Sequence, residues 1–470
     1  MTSAEQQQRF ASGRDGRRSR RSTTGGARIQ AALGWGALAV VAAAILRNGA
    51  VAPAIWLLLC LGALVLFAVQ VGLDLRNGLP QPARSALWPA VPLVAVVAWL
   101  LIQSAAGLWP GLAHPVWALA PEGALPAISA HPDAGRLVVL RYLAYAMVFW
   151  VLMRSSTEAR GGGRAYIQAI AMFSTALALY GLLSKAAGYN LLLGSDESAY
   201  SVRASLWHRG AYATIAVFGV LANVAAYADA VSGSTNRVVF SLRDFIEVFF
   251  SRAWIFAFGG LVGLAALAMT LSRGGAAAGA VGVLVLIWAL RRGAGRSSLG
   301  ALAVPIAAVA FVALFMTSAV LDRFQAPTAG ARPEIFRAVA AGILDRPLLG
   351  HGAGAFPVAF RPYTPASQAA WVWDKAHSSY LENAFEFGLP AAALFYLGLG
   401  LIGLRLLSGV RHRKRHQLTP AFALACFAAA AVHAVADFTL QIPAVTALFA
   451  AILGIGWGQS FPTRRRSDAA

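Results

Sequence analysis

Charge is scarce in this sequence. Only 12% of its 470 residues are Asp, Glu, Lys or Arg, against about 25% in soluble domains, and 58% are hydrophobic. That excludes a disordered chain and argues against an ordinary soluble enzyme. Cysteine is nearly absent. Cys60 and Cys426 each sit in a long apolar run, which leaves no disulfide framework and no thiolate metal spacing. Lysine is nearly absent too, with 3 against 36 arginines, a bias that a genome rich in G and C accounts for. No Asp-x-Asp occurs, so the metal site of many sugar-nucleotide enzymes is unsupported. Neither a G-x-x-x-x-G-K-[ST] phosphate loop nor an H-E-x-x-H zinc motif is present. Gly350-His351-Gly352-Ala353-Gly354 is glycine-rich but lacks the strand context of a nucleotide site.

What the chain has instead is length in apolar runs. A bilayer core takes about 20 apolar residues as a helix. Twelve segments qualify: 29–46, 51–71, 86–108, 137–153, 165–187, 211–228, 253–271, 274–290, 299–319, 389–407, 418–436 and 442–458. The expected fold is therefore all-α, a polytopic membrane helix bundle of about twelve spans. Several spans are rich in Ala and Gly, as in Gly274 to Gly282, and small residues let helices pack closely in lipid. The first run does not read as a cleavable signal, because its basic leader is long and a second span follows. The expected layout is a basic, disordered tail over 1–28, spans one to nine over 29–319, a long outer loop over 320–388, spans ten to twelve over 389–458, and a short tail over 459–470.

The net charge of +20 raises nucleic acid as a partner, but its distribution points elsewhere. With the N-terminal tail placed in the cytoplasm, the cytoplasmic side collects 26 of the 39 basic residues and the outer side eleven. The excess is thus mainly a topology signal. The expectation is a multi-pass membrane protein with both termini cytoplasmic, the lipid bilayer as a partner and no nucleic acid.

Four polar clusters fall on the outer side: Arg203 to Arg209, Leu271 to Gly275, Asp374 to Glu382 with Glu386 and Gly388, and Asp437 to Pro443. Their convergence in topology marks a candidate site. Arg273 sits between two apolar runs. It either snorkels to the headgroups or clamps a phosphate with its planar fork. Arg209 and Arg203 carry the same two readings. His377 precedes a helix, and is either a bystander at the interface or a proton acceptor for a hydroxyl. Ser379 and Glu382 have capping-box spacing, so Glu382 is either a cap or a binding group. His433 and Asp437 lie four apart on one helix face, as a buried polar pair or as part of the site. His351 reads as a loop residue, and His114, His131, His412 and His416 as surface residues. Within the long loop, Arg332-Pro333-Glu334 starts a helix with Ile335, Val339 and Ile343 on one face and Arg337, Ala341 and Asp345 opposite. That helix is expected to lie along the membrane surface and to end at Pro347, with Gly350, Gly352 and Gly354 as a flexible turn.

These stretches together resemble the O-antigen ligase and O-antigen polymerase family. Leu271-Ser272-Arg273-Gly274-Gly275 is similar to its Ser-Arg-Gly segment. Arg332 through Phe356 is similar to its amphipathic helix and glycine turn. His377-Ser378-Ser379-Tyr380-Leu381-Glu382, followed by Glu386-Phe387-Gly388, is similar to its His-x-x-x-Leu block. Asp437-Phe438 with Gln441-Ile442-Pro443 is similar to a C-terminal segment seen in part of it. Ser205 to Tyr212 departs from the Asn-rich stretch that many members carry before the sixth span. The resemblance covers about residues 100–458. It implies a GT-C-like fold and a metal-independent glycosyltransferase without cofactor. The enzyme would move glycan from an undecaprenyl-diphosphate carrier to a lipid A-core or glycan acceptor at the periplasmic face of the bacterial inner membrane. By position, His377 is the catalytic residue, as base or acceptor-positioning group. Arg209 and Arg273 hold the diphosphate, and Arg203, Arg337, Glu382 and Asp437 are further substrate-binding candidates. A transporter of a small anion or lipid-linked glycan is the alternative, and would place ionisable groups near the midplane on broken helices.

Overall fold

The computed structural model describes residues 26–159, 161, 163–196, 201–234, 253–293, 331–413 and 417–462. Most of the N-terminal tail, the ninth expected span, the start of the long loop and the basic C-terminal end lie outside these residues. The described residues are mainly helical with almost no strand, and the expected polytopic bundle is borne out. Its helices are α1 (Gly26–Leu46), α2 (Pro53–Asn77), α3 (Gln81–Ser85), α4 (Leu87–Gln103), α5 (Pro132–Glu158), α6 (Arg164–Ala187), α7 (Arg209–Ser234), α8 (Trp254–Met269), α9 (Arg273–Gly293), α10 (Ala331–Asp345), α11 (Phe356–Ala359), α12 (Ser379–Phe387), α13 (Leu389–His412), α14 (Leu418–Ala436) and α15 (Pro443–Gly458). Among the described residues, eight helices are long and apolar enough to cross a membrane, and α4, α8 and α15 are shorter apolar helices. A two-residue ribbon, β1 (Tyr189–Asn190) with β2 (Ser195–Asp196), closes the turn after α6.

Close packing in the bundle follows from small residues. α15 lies along α5 and α9 along α14. Gly454 and Gly458, one turn apart on α15, lie against the backbone of Phe149 and Met153 on α5, where a methyl group would overlap the carbonyls. Such a small-x-x-x-small face brings two helix backbones together without any hydrophobic drive between helices in lipid. α2 and α5 are also joined by a buried polar knot. Asp74 accepts from Arg154 Nε at 2.7 Å, Gln70 Nε2 at 2.8 Å and Trp150 Nε1 at 3.0 Å. Arg141 lies over the Trp56 ring at 4.7 Å rather than in the site.

The third expected span is shorter than the hydropathy suggested. α4 ends at Gln103 because Ser104 turns its hydroxyl back onto the Leu100 carbonyl. α5 begins at Pro132, where His131 accepts from the Ala134 N–H and Pro suits the first helical position.

The segment before α5 and residues 331–388 build a small module on the bundle. The stripe Ile335, Val339 and Ile343 is buried as expected, but its partner is protein. It packs on Phe356, Phe360 and Phe385, so α10 is not a bare interfacial helix. The glycine segment is corrected too. His351 N–H donates to the Phe385 carbonyl, Gly352 N–H to that of Glu386 and Leu389 N–H to that of Pro347. Gly350, at φ +67°, lies so close to the Glu386–Gly388 backbone that no side chain fits. This segment is a wedged strap, not a free turn.

His114 and His351 are buried, against the surface and loop readings given above. His114 Nδ1 accepts from the Val116 N–H, which leaves its Nε2–H to donate to His351 Nδ1 at 2.9 Å. His351 Nε2–H in turn donates to the Gly342 carbonyl at 2.8 Å. Both rings are therefore neutral. Burial, with His351 and Arg346 beside it, pushes His114 down to about 4, and burial also pulls His351 below the ordinary 6.5. An unfolded histidine takes its proton near pH 6.5, while this pair resists it further down. Stability is present above pH 6.5 and is lost as pH falls toward 4. Hydrogen exchange in residues 104–131, corrected for intrinsic rates, is expected to accelerate between pH 7 and pH 5. Equal protection at both values contradicts the pairing.

Candidate active site

One polar cavity of about 290 Å³ opens where four helix ends meet. It is lined by His208 and Arg209, by Leu271, Ser272, Arg273 and Gly274, by Arg332, and by Ala436 and Asp437. Arg209 and Arg273 are the first residues of α7 and α9. Two helix N-termini, with their partial positive charge, therefore frame the cavity beside the guanidiniums.

Local sequence explains each placement. His208 caps α7, its Nδ1 accepting from the Ala211 N–H at 3.1 Å. Ser272 caps α9, its hydroxyl accepting from the Gly275 N–H at 3.1 Å, and Leu271 turns the corner at φ +54°. A branched residue in that region costs about 1 kcal/mol, held here by the packed bundle. Arg332 comes from the start of α10 and donates to the Ala436 carbonyl at 3.3 Å. Asp437 ends α14 in extended backbone. Its Oδ1 accepts from the Phe438 N–H at 2.8 Å, with His208 Nε2 at 3.7 Å from Oδ1 and His433 Nε2 at 3.7 Å from Oδ2.

His377 stands at the edge of this cluster rather than in the cavity wall. Its ring meets Phe438 edge-on at 5.0 Å and Trp373 at 5.7 Å, and His208 lies 4.2 Å from the same Phe438 ring. Two anchors fix it. On one side Glu382 accepts from the Ala376 N–H at 2.9 Å and from Lys375 Nζ at 3.0 Å. On the other, Ser379 donates through its N–H and hydroxyl to the Asp437 carbonyl oxygen at 3.3 and 3.2 Å. Between them His377 is pressed to φ +53°, and its buried Nδ1 finds no hydrogen-bond partner among the described residues. Strain over-determined by its surroundings is common at functional sites. Burial, and then the Arg332 charge, hold His377 below the ordinary histidine value, with Asp437 opposing. His208 is pushed down to about 4 by burial, Arg209 and Arg332. Both are neutral near pH 7.

The structure thus brings Arg209, Arg273 and Asp437 to one cavity with His377 at its margin. The other candidates lie apart. Arg203 stacks on Trp207 at 5.2 Å and reaches the Asp196 carbonyl. Arg337 is on the exposed face of α10, its Nε donating to the Pro333 carbonyl. Glu382 is fully buried in its knot with Lys375. It is not a capping-box partner of Ser379, because Ser378 is the residue that caps α12, through the Leu381 N–H. Glu386 is buried nearby, accepting from the Phe356 N–H; burial and Glu382 push its carboxyl up to about 7. Arg332 is the cavity residue that sequence reading missed, since its Pro-Glu context reads only as a helix start.

Two glycines keep the cluster open. A methyl group on Gly210 would overlap Asp437 Oδ2, and one on Gly274 would lie 2.9 Å from His433 Cδ2. Gly210→Ala is expected to displace the carboxylate and lower activity by at least about tenfold. Gly72→Ala, in open space on α2, is the control. Equal activity of the two variants contradicts a role for the Asp437 position.

Residues 258–396 match the family described as O-antigen ligase. The match bears out the resemblance and supports the O-antigen ligase/polymerase family for this chain, a class of membrane glycosyltransferase. It spans Arg273, Arg332 and His377, and leaves Arg209 and Asp437 outside. No curated protein matches the chain.

Proposed function

We propose that this protein transfers glycan from an undecaprenyl-diphosphate carrier to a lipid A-core or polysaccharide acceptor at the periplasmic face of the inner membrane. One observation carries the reading: three guanidiniums and two helix N-termini share a single cavity with one carboxylate. With His208 neutral, that leaves an excess of two positive charges, which complements a diphosphate diester carrying a negative charge on each phosphate. The basic residues that the sequence topology collects on the cytoplasmic side support the orientation.

The acceptor hydroxyl attacks the anomeric carbon. The acceptor oxygen–carbon bond forms, the carbon–phosphate oxygen bond breaks, and the electron pair leaves on the diphosphate. Charge grows on that leaving group, so Arg209, Arg273 and Arg332 act where the transition state differs most from the substrate. Arginine's planar fork suits each phosphate. The neutral His377 imidazole holds the attacking hydroxyl, as base or as positioning group.

A deletion strain tests the reading. Loss of a ligase leaves polymer detached from lipid A-core, and loss of a polymerase leaves single repeats, when surface polysaccharide is run on a gel. Unchanged polysaccharide in the deletion strain contradicts both forms.

A further inference from the structure

The hydroxyl's proton has to go somewhere, and the guanidinium-lined cavity is a poor place for it. The geometry behind Asp437 offers an answer. His433 is 1% exposed on α14. Its Nδ1 meets Thr214 Oγ1 at 2.9 Å, and Thr214 can also donate to the Gly210 carbonyl at 3.3 Å. Its Nε2 has no hydrogen-bond partner among the described residues, yet it faces Asp437 Oδ2 across 3.7 Å. Oδ2 itself receives no hydrogen bond among them, while Oδ1 is held by the Phe438 N–H. A buried nitrogen and a carboxylate oxygen that lines the cavity thus confront each other across 3.7 Å. Gly210 and Gly274 keep that approach open, as neither has a side chain to separate the pair from the cavity.

His208 cannot serve instead. Its Nδ1 lone pair is used by the Ala211 N–H, so its Nε2 carries the hydrogen that points at Asp437. His433 is adaptable because the Thr214 hydroxyl rotates. When Thr214 donates to Gly210, it accepts the His433 Nδ1–H, and the Nε2 lone pair faces Asp437.

We propose that Asp437 and His433 form the proton acceptor of the site, with Thr214 setting the imidazole's tautomer. This rests on the glycosyl-transfer reading. The attacking hydroxyl hydrogen-bonds to Asp437 Oδ2, its O–H bond breaks as the glycosidic bond forms, and the proton comes to rest on His433 Nε2. The result is an imidazolium donating to Asp437 on one side and to Thr214 on the other. The proton returns to water when product leaves. His433 acts through Asp437 and is a positioning residue in that sense, while His377 orients the hydroxyl. The other charged or titratable groups around the pair are His208, Arg209, Arg273, Arg332, His377 and Asp374.

The test is the pH dependence of kcat for glycan transfer by purified protein in proteoliposomes, with a polyprenyl-diphosphate-linked glycan as donor. Wild type is expected to lose activity through one acidic limb as the pair takes up its proton. His433→Gln is expected to lower kcat about a hundredfold, leave the donor KM within about threefold, and abolish that limb. Thr214→Val, which keeps the side-chain shape, removes the acceptor that stabilises the imidazolium. It should move the limb down by roughly one pH unit. His377→Gln should keep the limb. A limb that survives in His433→Gln and disappears in His377→Gln gives the proton to His377 and overturns the relay. So does a limb that Thr214→Val leaves in place. Wild-type protein that transfers no glycan at any pH overturns the glycosyl-transfer reading itself, whereas a working enzyme with an insensitive His433 overturns the relay alone.

Discussion

Replacing Arg273 with alanine is expected to lower glycan transfer by about a hundred- to a thousandfold in protein that still inserts and folds. The size follows from where the side chain sits. Arg273 starts α9, so its guanidinium and the helix N-terminus address the same cavity. A group aimed at the departing diphosphate matters most as charge develops there, which makes the loss fall on kcat more than on KM. Arg273→Lys keeps the charge but not the two-pronged fork, and should recover only part of the rate. Arg337→Ala, on the exposed face of α10, is expected to act near wild type. Single-turnover transfer in proteoliposomes reads all three. Similar rates for the Arg273 and Arg337 variants contradict the clamp.

The second large effect belongs to His377. His377→Ala is expected to lower kcat about a hundredfold, the typical consequence of a reacting group misplaced by about an ångström. His377→Gln should recover much of that loss, because an amide can still hold a hydroxyl while taking no proton. The backbone argues for positioning as well. Lys375, Ala376 and Glu382 on one side and Ser379 with the Asp437 carbonyl on the other hold His377 at φ +53°. Breaking the Glu382 knot should therefore imitate the loss of His377. Glu382→Gln, which cannot pair with Lys375 as an ion, is the variant that separates the two effects: its fall in kcat should be smaller than that of His377→Ala. An alanine variant at 377 with wild-type kcat removes the residue from the mechanism.

Much of the architecture was legible because membrane helices announce themselves by length and composition. Eight described helices are long enough to cross a bilayer, and three expected spans are shorter apolar helices. The stripe Ile335–Val339–Ile343 was legible as a buried face, but its partners, Phe356, Phe360 and Phe385, lie further along the chain. Periodicity states that a face is apolar, not what covers it, and lipid and protein look alike to it. Arg273 was legible as a charge between two apolar runs, whereas the Ser272 cap that places it was not. Arg332 was not, because Arg-Pro-Glu is fully accounted for as a helix start. The Asp74–Arg154 pair and the His114–His351 pair were hidden for another reason. Nothing local marks either member of each pair, and only the packing of distant segments makes them buried partners.

The central claim is that the cavity of Arg209, Arg273, Arg332 and Asp437 transfers glycan off a lipid diphosphate. The most direct measurement is mass balance with the purified protein in liposomes, using a radiolabelled glycan on undecaprenyl diphosphate and an unlabelled acceptor. The account predicts one undecaprenyl diphosphate released for each glycan joined to acceptor, and both products formed at about a hundredth of the rate or less by the Arg273→Ala protein. Movement of intact lipid-linked glycan across the bilayer, with no diphosphate released, would contradict it.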